Sequence, residues 1–225
     1  MIKENIQNIR QNIIEKALEC NRNPKEISLL AVSKKKTIQD IQQAVSVGQY
    51  DFGENYIQES IKKIKMLSHL PLIWHFIGTL QSNKTRFVAQ YFDWCHTVNS
   101  VYIASRLNLQ RSYVSNPLNV LIQINISEEE NKSGIRLHEL LFLAKKINSF
   151  PYLKLRGVMA MSDLHMSENC KLALYHKIKK EFQCLKCDHP SVDTLSLGMS
   201  SDMDLAIISG STMLRIGTAI FGKRE

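Results

Sequence analysis

Ile27-Ser28-Leu29-Leu30-Ala31-Val32-Ser33-Lys34 is an apolar run that ends on an amine. Its length and near-continuous hydrophobicity predict a strand buried in a sheet. Strand alternation puts Leu30, Val32 and Lys34 on one face and turns Lys35 to the other. A lysine at the tip of such a strand projects into whatever pocket the strand ends form. Desolvation and neighbouring cations make such an amine nucleophilic near neutrality, which suits it to Schiff-base formation. Lys34-Lys35-Lys36 is also a charge run, and a solvated loop is the competing reading of this segment taken alone.

Upstream, Ile6, Ile9, Ile13, Ile14, Ala17 and Leu18 recur at helical spacing within Ile2 to Glu19, and Asn23-Pro24 ends that helix. Downstream, short apolar runs alternate with amphipathic stretches. The runs are Ile27–Ser33, Tyr50–Gly53, Ile73–Ile77, Trp94–Val98, Asn119–Ile126, Leu153–Met159, Thr194–Leu197 and Met213–Ile216. Helical patterns fall between them at 37–47, 57–67, 83–90, 100–108, 137–148, 167–185 and 203–209. Strand and helix alternating at this period predict a parallel sheet with helices outside. Eight units predict an α/β fold of one closed (β/α)8 TIM barrel, preceded by an N-terminal helix and spanning residues 1–225 as a single domain. No G-x-G-x-x-G follows the first strand, which counts against an open dinucleotide-binding sheet.

The working face of such a barrel lies at the strand C-termini. Lys34 ends the first strand there, and Gly53-Glu54-Asn55 ends the second. His75 lies in the third strand, Met159-Ala160-Met161-Ser162 follows the sixth, Ser196-Leu197-Gly198-Met199-Ser200 closes the seventh, and Arg215-Ile216-Gly217-Thr218 closes the eighth. Loops after the last two strands of a barrel frequently bind phosphate through backbone N–H groups. Gly198 and Gly217 allow close backbone approach, and Ser200, Ser201 or Asp202 can cap the following helix. Two such loops facing a strand-end lysine suit pyridoxal 5′-phosphate (PLP), which carries a phosphate and an aldehyde. Arg215 is open to two roles, pairing with an anion or donating a hydrogen bond to the pyridine nitrogen.

Composition narrows the alternatives. The 225 residues are 44% hydrophobic and 22% charged, ordinary values for a globular chain. No apolar run approaches the ~18 residues of a membrane span, and the N-terminus shows no secretory pattern. The net charge of +8 is spread over helix faces, with no basic stripe interleaved with aromatics, so nucleic acid is not expected as a partner. Five scattered cysteines fit a reducing cytoplasm better than a disulfide framework. Cys184-Leu185-Lys186-Cys187 reads as the end of a helix, since a metal site needs a further ligand pair.

Several motifs together resemble the pyridoxal phosphate homeostasis protein family: Ala31-Val32-Ser33-Lys34, Phe52-Gly53-Glu54-Asn55-Tyr56, Trp74-His75-Phe76-Ile77-Gly78, Leu80-Gln81-Ser82-Asn83-Lys84, Leu195 to Ser200, and Arg215 to Gly222. The resemblance runs in order over nearly the whole chain. It implies a barrel like the N-terminal domain of alanine racemase, with PLP on Lys34. It implies that Ser200, Gly217 and Thr218 hold the phosphate, that Arg215 faces the pyridine nitrogen, and that Asn55 and His75 lie around the ring. Ser196 and Met199 complete the expected cofactor-binding set. Two departures stand out: Lys35 extends the lysine run, and Thr79 replaces a usual proline.

The family is regarded as a PLP carrier or homeostasis factor without an established reaction. Racemisation needs a base on each face of the ring. Related racemases take one from a second domain, whereas only Lys223-Arg224-Glu225 follow Phe221-Gly222 in this sequence. The expectation is therefore a cytoplasmic PLP-binding protein without robust catalysis. It would be a monomer or weak dimer, with PLP-dependent apo-enzymes as recipients. A PLP-dependent racemase-like enzyme is the alternative, with Tyr56 or His75 as the substitute base.

Overall fold

Eight parallel strands close into a barrel in the computed structural model, in the order of the chain. The structure describes residues 1–126, 133–163 and 166–222; the tail Lys223-Arg224-Glu225 lies outside the described residues. The strands are β1 (Ser28–Val32), β2 (Asp51–Glu54), β3 (Ile73–Phe76), β4 (Trp94–Val98), β5 (Leu118–Ile124), β6 (Leu153–Ala160), β7 (Thr194–Ser196) and β8 (Met213–Ile216). The helices are α1 (Ile2–Glu19), α2 (Ile38–Val45), α3 (Ile57–Met66), α4 (Thr85–Tyr91), α5 (Val101–Arg111), α6 (Leu140–Asn148), α7 (Glu168–Asp188), α8 (Met203–Ile208) and α9 (Thr218–Phe221). Closure comes from β1 pairing with β8, where Ser28 meets Met213 and Leu30 meets Arg215.

The predicted alternation is present in full, and the differences are local. The helix expected from Asn83 begins as a 3₁₀ turn over Ser82–Lys84 and becomes α-helical at Thr85. Strand β5 starts at Leu118, and its pairing with β6 shifts register between Val120 and Leu121.

Ile6, Ile9, Ile13 and Ala17 are buried along one face of α1. Burying each large side chain contributes about 1.5–3 kcal/mol. The helix packs against α2, α8 and α9. It is tied to the end of the chain by Asn5 Nδ2, which donates to the Ile220 carbonyl at 2.8 Å. Most of the apolar core lies between the sheet and the helices, whereas two small clusters fill the barrel itself. Leu30, Ile77 and Met213 form one and Trp94, Leu121 and Met159 the other. Between them the interior is polar: His75, His96, Gln123, Ser196 and Arg215 are all buried. Gly53 leaves room for this packing, because a Cβ there would lie 3.1 Å from Ile77 Cδ1 and 3.3 Å from Leu30 Cδ2.

Candidate functional site

A cavity of ≈ 500 Å³ opens at the C-terminal ends of the strands. That is an ordinary size for a small-molecule site. Lys34 enters it from the turn after β1, Asn55 from the end of β2, and Arg215 from β8. Val32, Ile77 and Met161 supply apolar wall, and Met199, Ser200, Gly217 and Thr218 line it from the last two loops. A second cavity of ≈ 480 Å³, reaching Gln123 and Asn125, adjoins it through Met161 and Met199.

Lys35 follows a different course. Its backbone is left-handed, with φ of 59°, and its Nζ lies 5.9 Å from the centre of the Tyr56 ring. Lys36 Nζ donates to the Phe221 carbonyl at 3.0 Å. Of the three consecutive lysines, Lys34 is the one that lines the cavity.

Arg215 is 4% exposed, and its fork is fixed by neutral oxygens. Nη1 donates to the Ser196 carbonyl at 2.8 Å and to Ser196 Oγ at 2.7 Å, and Nη2 donates to the Ala160 carbonyl at 2.8 Å. Burial pushes its pKa down to about 10, so the guanidinium stays charged at neutral pH. Ser196 therefore serves the cavity by holding Arg215 and does not line it.

The loop after β7 is shaped by Asp202. The sequence suggested a helix cap at 200–202, but Asp202 makes no side-chain cap bond. Its Oδ1 instead accepts the Met199 N–H at 2.7 Å. Its Oδ2 accepts the hydroxyls of Ser162 and Tyr175, both at 2.7 Å. Three elements thus meet on one buried carboxylate, which turns Met199 toward the cavity. Gly198 makes this turn at φ of 88°, where a side chain is strained. The Ala219 N–H donates to Ser200 Oγ at 3.4 Å, which brings the two terminal loops together. Gly217 lies against β1, where a Cβ would sit 3.3 Å from the Val32 carbonyl oxygen.

Asn55 Oδ1 is buried and has no hydrogen-bond partner. A buried acceptor in this state is costly unless a ligand or an ordered water satisfies it. Asn55 is set in place by Gly78, where a Cβ would lie 2.3 Å from the Asn55 carbonyl oxygen.

His75 is fully buried inside the barrel and does not line the cavity. Its Nε2 is 3.0 Å from Asp51 Oδ1 and its Nδ1 is 3.0 Å from His96 Nε2. Burial lowers the pKa of both rings, and His96 falls well below the usual range. With both neutral, hydrogen bonding assigns the protons: His75 Nε2–H donates to Asp51, and His96 Nε2–H donates to His75 Nδ1. His75 also stacks on Trp94, with ring centres 5.1 Å apart. Tyr56, the other candidate base, borders a neighbouring cleft with Gln81 and Phe87. Cys184 and Cys187 are exposed on α7 and take no part in the cavity.

The donor set fits PLP chemically. A lysine amine suits an aldehyde, small residues and hydroxyls on paired loops suit a phosphate, and a buried arginine and an unsatisfied amide oxygen suit ring substituents. Residues 2–225 match the family model described as alanine racemase, N-terminal domain. The whole chain aligns at 51% identity with the pyridoxal phosphate homeostasis protein of Escherichia coli (strain K12), covering 97% of that protein. Among solved structures, PipY of Synechococcus elongatus PCC7942 with PLP bound is 31% identical. It superposes with a TM-score of 0.85 over 99% of this chain and 100% of that one. Alanine racemase from Clostridium difficile 630 is 13% identical and shares the fold, with a TM-score of 0.69 over 96% of this chain and 56% of its own. On these grounds the chain belongs to the pyridoxal phosphate homeostasis protein family, within the wider class of alanine racemase N-terminal domains.

Proposed function

We propose that this chain binds PLP as a Schiff base on Lys34 and serves PLP (vitamin B6) homeostasis in the cytoplasm, as a carrier or regulator without robust turnover. The observation that carries the reading is the meeting of Lys34 with Ser200, Gly217 and Thr218 on one cavity. When bound, PLP supplies an aldehyde that condenses reversibly with amines. Lys34 is the tether. Ser200, Gly217 and Thr218 hold the phosphate, Met199 and Asn55 flank the ring, and Arg215 donates toward the pyridine nitrogen. Ser196 orients Arg215. A guanidinium in that role does not surrender a proton, so the ring gains little electron-withdrawing power. His75 acts from within the barrel as a structural support.

One observation in the cavity favours holding over turnover. Among the described residues, neither Tyr56 nor His75, the two candidate second bases, lines the cavity of Lys34. The recipients of the cofactor are PLP-dependent apo-enzymes. Among the described residues no helix is long and apolar enough to cross a membrane.

The test is a titration of the purified protein with PLP followed by a panel of L-amino acids. A visible-region Schiff-base band with no racemisation above that of free PLP is expected. Saturable racemisation that is lost with Lys34→Ala would replace the carrier reading with the racemase-like one.

A further inference from the structure

Lys34 is flanked by two peptide groups, and both end on the same charge cluster, buried at Lys63 and Glu54 and half-buried at Glu59. Lys63, on α3, is 5% exposed and reaches beneath the end of β1. Its Nζ donates to the Ser33 carbonyl at 2.7 Å, to Glu54 Oε1 at 2.8 Å and to Glu59 Oε1 at 2.6 Å. All three ammonium protons are thereby used. Ser33 Oγ donates to Glu54 Oε1 at 2.6 Å, and Glu59 Oε1 also accepts the Lys35 N–H at 2.6 Å. The carbonyl of the peptide bond entering Lys34 is thus held by Lys63. The N–H of the peptide bond leaving Lys34 is held by Glu59.

The cluster is expensive for a structural ornament. It keeps an ammonium and the fully buried carboxylate of Glu54 out of water. Such groups often add little net stability compared with apolar replacements of similar volume. Burial pushes the Glu54 carboxyl up, against the pull of Lys63 and Ser33. The cluster also holds Lys35 at φ of 59°, where a non-glycine residue costs about 1–2 kcal/mol. Lys34 stands between these two held peptide groups and lines the cavity.

We infer that Lys63, with Glu54 and Glu59, is a positioning device that fixes the backbone on both sides of Lys34 and so presets its amine for covalent capture of an aldehyde ligand. The inference rests on the proposed PLP-binding function. In the captured step the unprotonated amine adds to the aldehyde carbon, a C=N bond replaces C=O, and the oxygen leaves as water. The device acts on the approach of the amine: Lys63, Glu54 and Glu59 bond to Ser33 and Lys35, and none of their hydrogen bonds reaches Ser200, Gly217 or Thr218, which come from the loops after β7 and β8.

The test compares Lys63→Met with the unaltered protein, using two ligands. PLP forms the covalent link, whereas pyridoxine 5′-phosphate has the same ring and phosphate but an alcohol in place of the aldehyde. The expected result is that Lys63→Met slows the rise of the Schiff-base absorbance and lowers its final extent by about tenfold or more. Its affinity for pyridoxine 5′-phosphate should stay within about threefold. If Lys63→Met does not fold, Glu59→Leu and Glu59→Gln serve: the leucine variant should show the covalent defect, and the glutamine variant, which keeps an oxygen for the Lys35 N–H, should restore most of it. Covalent capture at the original rate in a folded variant overturns the inference, as does an equal loss of both ligands. A failure of the unaltered protein to link PLP at all, with pyridoxine 5′-phosphate still bound, overturns the functional reading and this inference with it.

Discussion

Arg215 and Ser196 are joined twice, through Nη1 to the serine hydroxyl at 2.7 Å and to its carbonyl at 2.8 Å. The guanidinium is thereby fixed between β7 and β8 before any ligand arrives. Replacing it with Arg215→Met strips a charged donor from buried oxygens of Ser196 and Ala160. Stability should fall by about 2–3 kcal/mol in urea unfolding. Ser196→Ala, which removes one contact and leaves the carbonyl bond, should cost about 1 kcal/mol. An Arg215→Met protein as stable as the original would show that these bonds contribute nothing net.

Gly78 packs directly against the backbone of Asn55, which lines the cavity. Gly78→Ala puts a Cβ where only 2.3 Å separates it from the Asn55 carbonyl oxygen, a backbone atom that cannot swing aside. Overpacking of this kind costs about 1–3 kcal/mol. Both the melting temperature and the affinity for PLP should drop, because relief requires Asn55 to move. Unchanged affinity would mean that Asn55 does not contribute to the site.

The orphaned Asn55 Oδ1 leads to an opposite pair of effects. In the ligand-free protein Asn55→Ala removes an unsatisfied buried acceptor, so stability should hold or rise slightly. If Asn55 contacts the ligand as proposed, the same substitution should weaken PLP binding by about tenfold, the equivalent of ~1.4 kcal/mol. Calorimetric melting and equilibrium titration separate the two. Destabilisation without a change in affinity would assign Asn55 to packing alone.

The buried histidines make stability depend on pH. Their folded pKa values lie below the ordinary histidine value, so the unfolded chain binds protons more tightly. Their contribution is present above about pH 6.5 and is lost as pH falls below it, by up to about 1.4 kcal/mol per pH unit for each ring. The urea midpoint should fall between pH 7.5 and 5.5, and His96→Gln should flatten that slope. A slope unchanged by His96→Gln would remove that ring from the account.

The strand pattern and the Lys34 face were legible because burial and alternation leave a period in the sequence. Val32 and Lys34 do line one cavity, and Lys35 does turn elsewhere. Asp202 does stand at the N-cap of α8, but its carboxylate makes no cap bond, because a carboxylate next to a helix start also has tertiary partners. Ser162 and Tyr175 lie 40 and 27 positions away, beyond any local rule. Lys63 was hidden for the same reason. Its spacing from Glu59 signals a helix-surface pair, and only barrel closure brings Ser33 and Glu54 to it. The family resemblance implies His75 beside the ring, whereas the structure packs it inside the barrel against Trp94 and His96, which read as plain strand positions.

The central claim is the covalent use of Lys34. It is tested most directly by incubating the protein with PLP, reducing with borohydride, and mapping the modified peptide by mass spectrometry. The account predicts a single dominant pyridoxyl-phosphate adduct on Lys34, lost in Lys34→Ala. A dominant adduct on Lys35 or Lys36, or one that survives intact in Lys34→Ala, would contradict it.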